Sequence, residues 1–177
     1  AATGCSDVFD RSDGALRARD GLAARAGVLR GQEPAERIRV REYDLSFWVD
    51  VRQGHKTGFY IDQRENRRLA GTLAQELGRT LGRAPRALNA FCYSGAFSIA
   101  LARGGAASVV SIDSSAEALS LAAENARRLG VEDRIRFVQT NLLDGVAAGA
   151  VRVRFAVDSA RAALAVAANI SGNSHRV

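Results

Sequence analysis

Arg86–Asp113 reads RALNAFCYSGAFSIALARGGAASVVSID, and this stretch decides the fold. Ala87 to Phe91 is a short apolar run behind Pro85, which predicts a buried strand. Cys92 to Gly95 forms a turn, with Ser94 placed to cap the helix that follows. Ala96, Phe97, Ile99, Ala100 and Leu101 recur at helical spacing until Gly104-Gly105 stops them. Ser108 to Ile112 is β-branched and apolar, a second strand, and Asp113 stands at its C-terminal end. An acid eighteen residues beyond Gly95 can reach the ribose hydroxyls of an adenosine held over the first turn.

The turn discriminates between cofactors. A dinucleotide fingerprint places three glycines so that backbone amides approach a pyrophosphate. Here only Gly95 remains, and Asn89, Phe91 and Tyr93 fill the earlier positions. Bulky side chains obstruct a pyrophosphate. A sulfonium cofactor has no phosphate to cradle, and its amino-acid arm can rest on a turn lined by an aromatic ring and a hydroxyl. The unit therefore favours S-adenosylmethionine over a dinucleotide.

The flanking residues extend the pattern. Ser115 caps a helix over Ala116 to Leu129 with Gly130 at C′, and Arg134 to Thr140 is a third strand followed by Asn141. Right-handed crossovers place the first strand centrally. Val151 to Val157 predicts a fourth strand ending at Asp158, and residues 159–177 read as an alanine-rich helix with a polar end. Upstream, Val8 to Leu29 is polar and arginine-rich, read as a strand and a turn at Gly27. Ile38 to Glu42 and Leu45 to Val51 alternate as paired strands around Tyr43-Asp44, with Trp48 expected in the core. Gln53 to Gly58 is a loop. Tyr60 to Leu81 has helical periodicity through Ile61, Leu69, Leu73 and Leu77, and Gly82 to Pro85 ends it. The division expected is a small α+β domain with its linking helix (1–82), the first half of a Rossmann-like domain (83–158) and an atypical tail (159–177).

Several tracts together resemble one family. Asn89–Ser98 (NAFCYSGAFS), Ser111–Ser115 (SIDSS) and a helix ending Asn125–Gly130 (NARRLG) look like class I methyltransferases, most closely the bacterial large-subunit ribosomal RNA cytosine-5 methyltransferases. Val8–Asp13 (VFDRSD), Gly21-Leu22 and Gly54–Arg67 (GHKTGFYIDQRENR) are similar to that family's central domain and its link to the catalytic domain. The resemblance runs over roughly residues 6–144. It implies an α/β fold: a partial Rossmann-like, doubly wound sheet preceded by a small α+β domain.

The resemblance also implies roles. Asn89, Phe91, Tyr93, Ser94 and Gly95 would hold the methionine arm of the cofactor, Asp113 the ribose and Ser114 the flank of the adenine. Asn141 would contact the adenine amino group. Gln63 and Arg64, opening a helix, would reach the charged end from the other side, in a loop beginning at Lys56; Asp62 alternatively complements the helix dipole. Methylation at cytosine C5 requires a cysteine thiolate to add at C6. In the family that cysteine lies downstream of everything present here. Cys92 reads as a small packed residue and Cys5 sits at a frayed end, so no catalytic residue is assigned. The family's acid-proline-proline tract is absent, since Ser159-Ala160 follow Asp158 and the only prolines are Pro34 and Pro85.

Composition bounds the rest. Two cysteines supply neither a disulfide scaffold nor a zinc cluster, so no metal is expected and a reducing cytosol is the simplest compartment. No apolar run approaches a membrane span. The net charge is +6, carried by 24 arginines and a single lysine, Lys56. Arginine's planar fork suits phosphate, which fits ribosomal RNA as partner, although solvated helix faces explain the same composition. A second copy of the chain is a further partner option, because a sheet missing later strands leaves an open edge. The chain contains no methionine and begins close to a tract that is central in the family, which predicts a fragment unable to complete catalysis. Two rival readings stand beside this one: an NAD(P)-dependent Rossmann oxidoreductase, and a non-catalytic RNA-binding fragment using the arginine-rich half.

Overall fold

The computed structural model describes residues 4–12, 14–23, 25–54, 58–147 and 163–167. These fall into two compact units, 1–40 with 48–59, and 41–47 with 60–177.

The first unit holds β1 (Val8–Asp10), α1 (Gly14–Arg19) and β2 (Gly27–Arg30). β1 and β2 pair antiparallel, with Phe9 opposite Val28. Gly27 opens β2 instead of making a turn, and the short helix α1 was not expected from its polar sequence. Acidic side chains fasten the loops. Asp10 accepts from the Ser12 amide at 2.8 Å, and Asp50 accepts from the amides of Arg52 and Gln53.

β3 (Ile38–Glu42) and β4 (Leu45–Val49) form a two-stranded sheet, and the tip between them groups with the second unit. Tyr43 turns the chain at φ 52°. Phe47 and Val49 are the buried residues of β4, while Trp48 between them is only half-buried. The pleat sends alternate side chains to opposite faces, so Trp48 lies on the face opposite its two neighbours.

The second unit is built on a parallel sheet. A 3-10 turn (Ile61–Gln63) leads into α2 (Arg64–Leu81), which ends at Gly82 in the left-handed conformation. Then follow β5 (Arg86–Ala90), α3 (Ala96–Arg103), β6 (Ser108–Asp113), α4 (Ala116–Arg128), β7 (Ile135–Gln139), α5 (Leu142–Ala147) and β8 (Ala163–Ala167). The strand order is β7-β6-β5-β8, all parallel, with Leu88 opposite Val110 and Ala165. The first strand of the unit is therefore central, and the winding direction reverses between β5 and β8. In open α/β sheets ligands bind at the carboxyl ends of the strands beside such a switch point. The turn after β5 sits there.

The fourth strand expected over Val151 to Val157, and Asp158 at its end, lie outside the described residues. The tail read as helix instead supplies β8. An alanine-valine run can complete a parallel sheet when β5 offers it an unpaired edge, a tertiary effect that overrides helix propensity.

α2 presents Arg67, Ala70 and Ala74 as its buried residues, while Leu69 and Leu73 are exposed. The periodic leucines are thus not the packed face. The reason is how closely α2 crosses α3: a Cβ on Gly104 would stand 2.2 Å from the Gly71 carbonyl oxygen, so only small residues fit. This crossing groups the helix with the sheet, although the sequence expectation placed it with the first 82 residues. α4 follows its expected plan. Ser115 caps it by accepting from the Ala118 amide at 3.1 Å, and Gly130 lies beyond its end at φ 68°.

Candidate functional site

The turn between β5 and α3 is strained. Phe91 and Tyr93 have φ of 57° and 47°, and Gly95 follows at 77°. Left-handed backbone costs a residue with a Cβ roughly 1–2 kcal/mol, so two aromatic residues on either side of Cys92 need compensation. Hydrogen bonds supply it. The Cys92 amide donates to the Ile112 carbonyl at 2.9 Å, the Tyr93 amide to Asp113 Oδ2 at 2.8 Å, and the Gly95 amide to the Cys92 carbonyl at 2.9 Å. Ser94 is buried, yet α3 has no side-chain cap: Gly95 occupies the N-cap position, and the capping role expected of Ser94 is corrected. Gly95 is required twice, by its φ and because a Cβ there would lie 2.8 Å from Ala122 Cβ.

Asp113 is the node of the site. Its Oδ2 holds the Tyr93 amide, its Oδ1 accepts from the Ser115 amide at 3.0 Å, and its carbonyl accepts from the Thr140 amide at 2.9 Å. It joins the ends of three strands. A carboxylate offers about four acceptor sites, and these two bonds leave room for a pair of ribose hydroxyls.

This donor set fits one cofactor and not its rival. A pyrophosphate needs free amides in the first turn. Here the amides of Cys92, Tyr93 and Gly95 are engaged within the protein. What the turn offers is two aromatic rings, a half-buried carboxylate and a close approach at Gly95, which suits an adenosine joined through sulfur, with no phosphate between, to an amino-acid arm.

Asn89 lies beneath the turn. It is fully buried, and its Nδ2 donates to Ser98 Oγ at 2.7 Å, which also accepts from Ser111 Oγ at 2.7 Å. Asn89 thus joins β5, α3 and β6 beneath the turn. Its Oδ1 is the buried side-chain atom left without a partner among the described residues. Ser114 is exposed, its carbonyl accepting from Gln139 Nε2 at 3.4 Å. Asn141 is exposed, and its Oδ1 accepts from the Leu143 amide at 3.1 Å, capping α5 and leaving its amino group to donate elsewhere.

Gln63 and Arg64 are turned to neighbours other than the turn. Asn66 donates to Gln63 Oε1, and Gln63 Nε2 donates to Asp62, both at 2.9 Å. The Arg64 guanidinium lies 5.5 Å from the centre of the Tyr43 ring. Instead it is Tyr60 that meets the turn, its ring edge-on to Tyr93 at 5.7 Å and 87°. Sequence reasoning missed Tyr60 and also Arg67, although both stand in the quoted tract Gly54–Arg67. The signal for Arg67 was its place at i, i+3 and i+7 with Ala70 and Ala74, on the buried face. Lys56 and His55 lie outside the described residues.

Cys92 is no nucleophile. Burial first, and the Asp113 carboxylate second, push its thiol up to about 12. At pH 8 it is almost wholly protonated, whereas Cys5 is exposed. A disulfide reagent at pH 8 should therefore label one thiol rapidly, with Cys92 at least about a hundredfold slower until the chain unfolds. Two thiols reacting at similar rates would contradict this placement.

Among the described residues no cluster of ligating side chains can hold a metal ion, and no helix is long and apolar enough to cross a membrane.

Comparison with known proteins agrees with this geometry. A family model described as S-adenosylmethionine-dependent methyltransferase matches residues 16–158. The protein named ribosomal RNA large subunit methyltransferase I from Aeromonas salmonicida is 41% identical over 128 residues, 72% of this chain and 30% of its own length. The chain thus spans under a third of that relative. A crystal structure of a methyltransferase complexed with SAH superposes with a TM-score of 0.58 at 27% identity, covering 71% of this chain and 31% of that one. The SAM-dependent methyltransferase from Agrobacterium tumefaciens, at 20% identity and a TM-score of 0.63 over 83% of this chain and 43% of its own, shares the fold.

Proposed function

The chain belongs to the S-adenosylmethionine-dependent methyltransferase family, and from that premise we propose that it carries the cofactor-binding part of an enzyme that methylates C5 of a cytosine in large-subunit ribosomal RNA. The observation that carries the cofactor assignment is the strained aromatic turn, closed by hydrogen bonds from its own backbone amides and fastened to Asp113. When bound, the cofactor supplies an electrophilic methyl group on sulfur. The residues of this chain bind and orient it: Phe91, Tyr93, Ser94 and Gly95 along the amino-acid arm, Asp113 at the ribose, Ser114 beside the adenine, and the Asn141 amino group toward the adenine ring. Gln63 and Arg64 belong to this set only if their side chains leave Asp62 and Tyr43.

Ribosomal RNA as substrate is supported by the relative's name and by an arginine-rich chain of charge +6. Cytosine C5 is supported by the sequence tracts Asn89–Ser98 and Ser111–Ser115. Cys92 does not suit addition to a pyrimidine, because its thiol is buried and protonated.

Deleting the gene that encodes this chain, followed by nucleoside mass spectrometry of the host's large-subunit ribosomal RNA, tests the substrate assignment. Loss of one 5-methylcytidine is expected. Loss of a different methylated nucleoside would refute the cytosine assignment, and unchanged ribosomal RNA would refute the substrate class.

A further inference from the structure

We infer that Arg67 is a positioning residue for cofactor binding: it acts through Tyr60 to hold the aromatic wall formed with Tyr93. The inference rests on the cofactor site proposed above. Arg67 is only 3% exposed, and a guanidinium so deeply buried must be fully paired. Its Nε donates to Glu42 Oε1 at 2.8 Å and its Nη2 to Glu42 Oε2 at 2.5 Å. The same Nη2 donates to the Tyr60 carbonyl at 3.0 Å, and the guanidinium lies 5.8 Å from the Phe97 ring centre.

These partners are not scattered. Phe97 is in the first turn of α3, two residues past Gly95. Tyr60 immediately precedes the 3-10 turn, with φ −89° and ψ 85°, and its carbonyl also accepts from the Gln63 amide at 3.1 Å. That carbonyl fixes the plane from which the Tyr60 ring stands edge-on to Tyr93. Tyr93 in turn is fixed by the hydrogen bond that its backbone amide donates to Asp113. A continuous chain of contacts thus runs from Glu42 through Arg67, Tyr60 and Tyr93 to the carboxylate assigned to the ribose.

A buried ion pair is a weak device for stability, because well-packed apolar residues of similar volume serve as well or better. What apolar residues cannot do is donate to the Tyr60 carbonyl. The double replacement Glu42→Leu/Arg67→Met separates the two roles. Calorimetric titration with S-adenosylhomocysteine and thermal unfolding of the 177-residue chain are the measurements. The double variant should unfold within a few degrees of the parent yet bind about tenfold more weakly, as should Tyr60→Ala. Combining all three changes should cost no more than Tyr60→Ala alone, because Arg67 acts through that residue.

Parental affinity in Glu42→Leu/Arg67→Met would make Arg67 merely structural and overturn the inference, as would additive losses in the triple variant. Should the double variant fail to fold, Arg67→Lys, which keeps the charge without the two-pronged geometry, decides in the same way: a loss of about tenfold supports the role and unchanged affinity overturns it. A parent chain that does not bind S-adenosylhomocysteine would instead remove the cofactor site itself, and this role with it.

Discussion

Replacing Asp113 with alanine should raise the dissociation constant for S-adenosylmethionine at least about a hundredfold, from loss of a charged acceptor for two ribose hydroxyls. The same change should destabilise the fold by roughly 2–4 kcal/mol, because the amides of Tyr93 and Ser115 lose a carboxylate partner. The two effects need separating, since a collapsed turn binds nothing. Asp113→Asn provides the separation. Its amide oxygen retains one of the internal bonds, and its amino group cannot accept from a hydroxyl. Calorimetry and thermal unfolding on both variants should show a smaller stability loss for asparagine with most of the affinity still gone. Asp113→Asn with parental affinity would remove Asp113 from the binding set.

Gly95→Val should be the most damaging single change to folding outside the ion pair. The backbone there has φ of 77°, which costs a side chain roughly 1–2 kcal/mol. The new Cβ would meet Ala122 Cβ at 2.8 Å and its Cα at 3.3 Å, and that backbone belongs to α4 and cannot swing aside. Overpacking of this kind adds roughly 1–3 kcal/mol. Together these come to roughly 2–5 kcal/mol, a large share of a small domain's stability. Gly130→Ala is the control. Its φ is 68°, but nothing lies within 4 Å of the added Cβ, so only the backbone cost of about 1 kcal/mol should appear. Denaturant midpoints compare the two. Equal losses would mean that contact with Ala122 is unimportant.

The parts of this molecule that follow from short-range pattern were legible in the sequence. Strand β5, the turn, α3, β6 and Asp113 lie within one run in which a short apolar stretch, a helical repeat and a β-branched apolar stretch follow one another. The cap at Ser115 and the stop at Gly130 depend on local backbone chemistry alone. What was not legible depends on partners remote in sequence. Leu69 and Leu73 look like a core stripe, but the approach of Gly71 to Gly104 turns them outward. Asn89 stands within the motif, and its hydrogen bond to Ser98 depends on how β5 packs against α3.

Arg67 reads as one arginine among many. Its pairing partner Glu42 is 25 residues away, and no composition argument links the two. β8 is the strongest case: an alanine-rich run has helix propensity, and it becomes a strand because β5 has an open side. The aromatic residues of the turn were legible as bulk but not as strain. That Phe91 and Tyr93 both adopt positive φ, and that Asp113 fixes one of them, explains why the turn closes without further glycines.

The central claim is that the turn after β5 binds S-adenosylmethionine and not a dinucleotide. Parallel calorimetric titrations of the chain with S-adenosylmethionine and with a reduced nicotinamide dinucleotide test it most directly. Saturable one-to-one binding of the first, abolished by Asp113→Ala, with no heat from the second, is the predicted result. Tighter binding of the dinucleotide, or S-adenosylmethionine binding indifferent to Asp113, would contradict it.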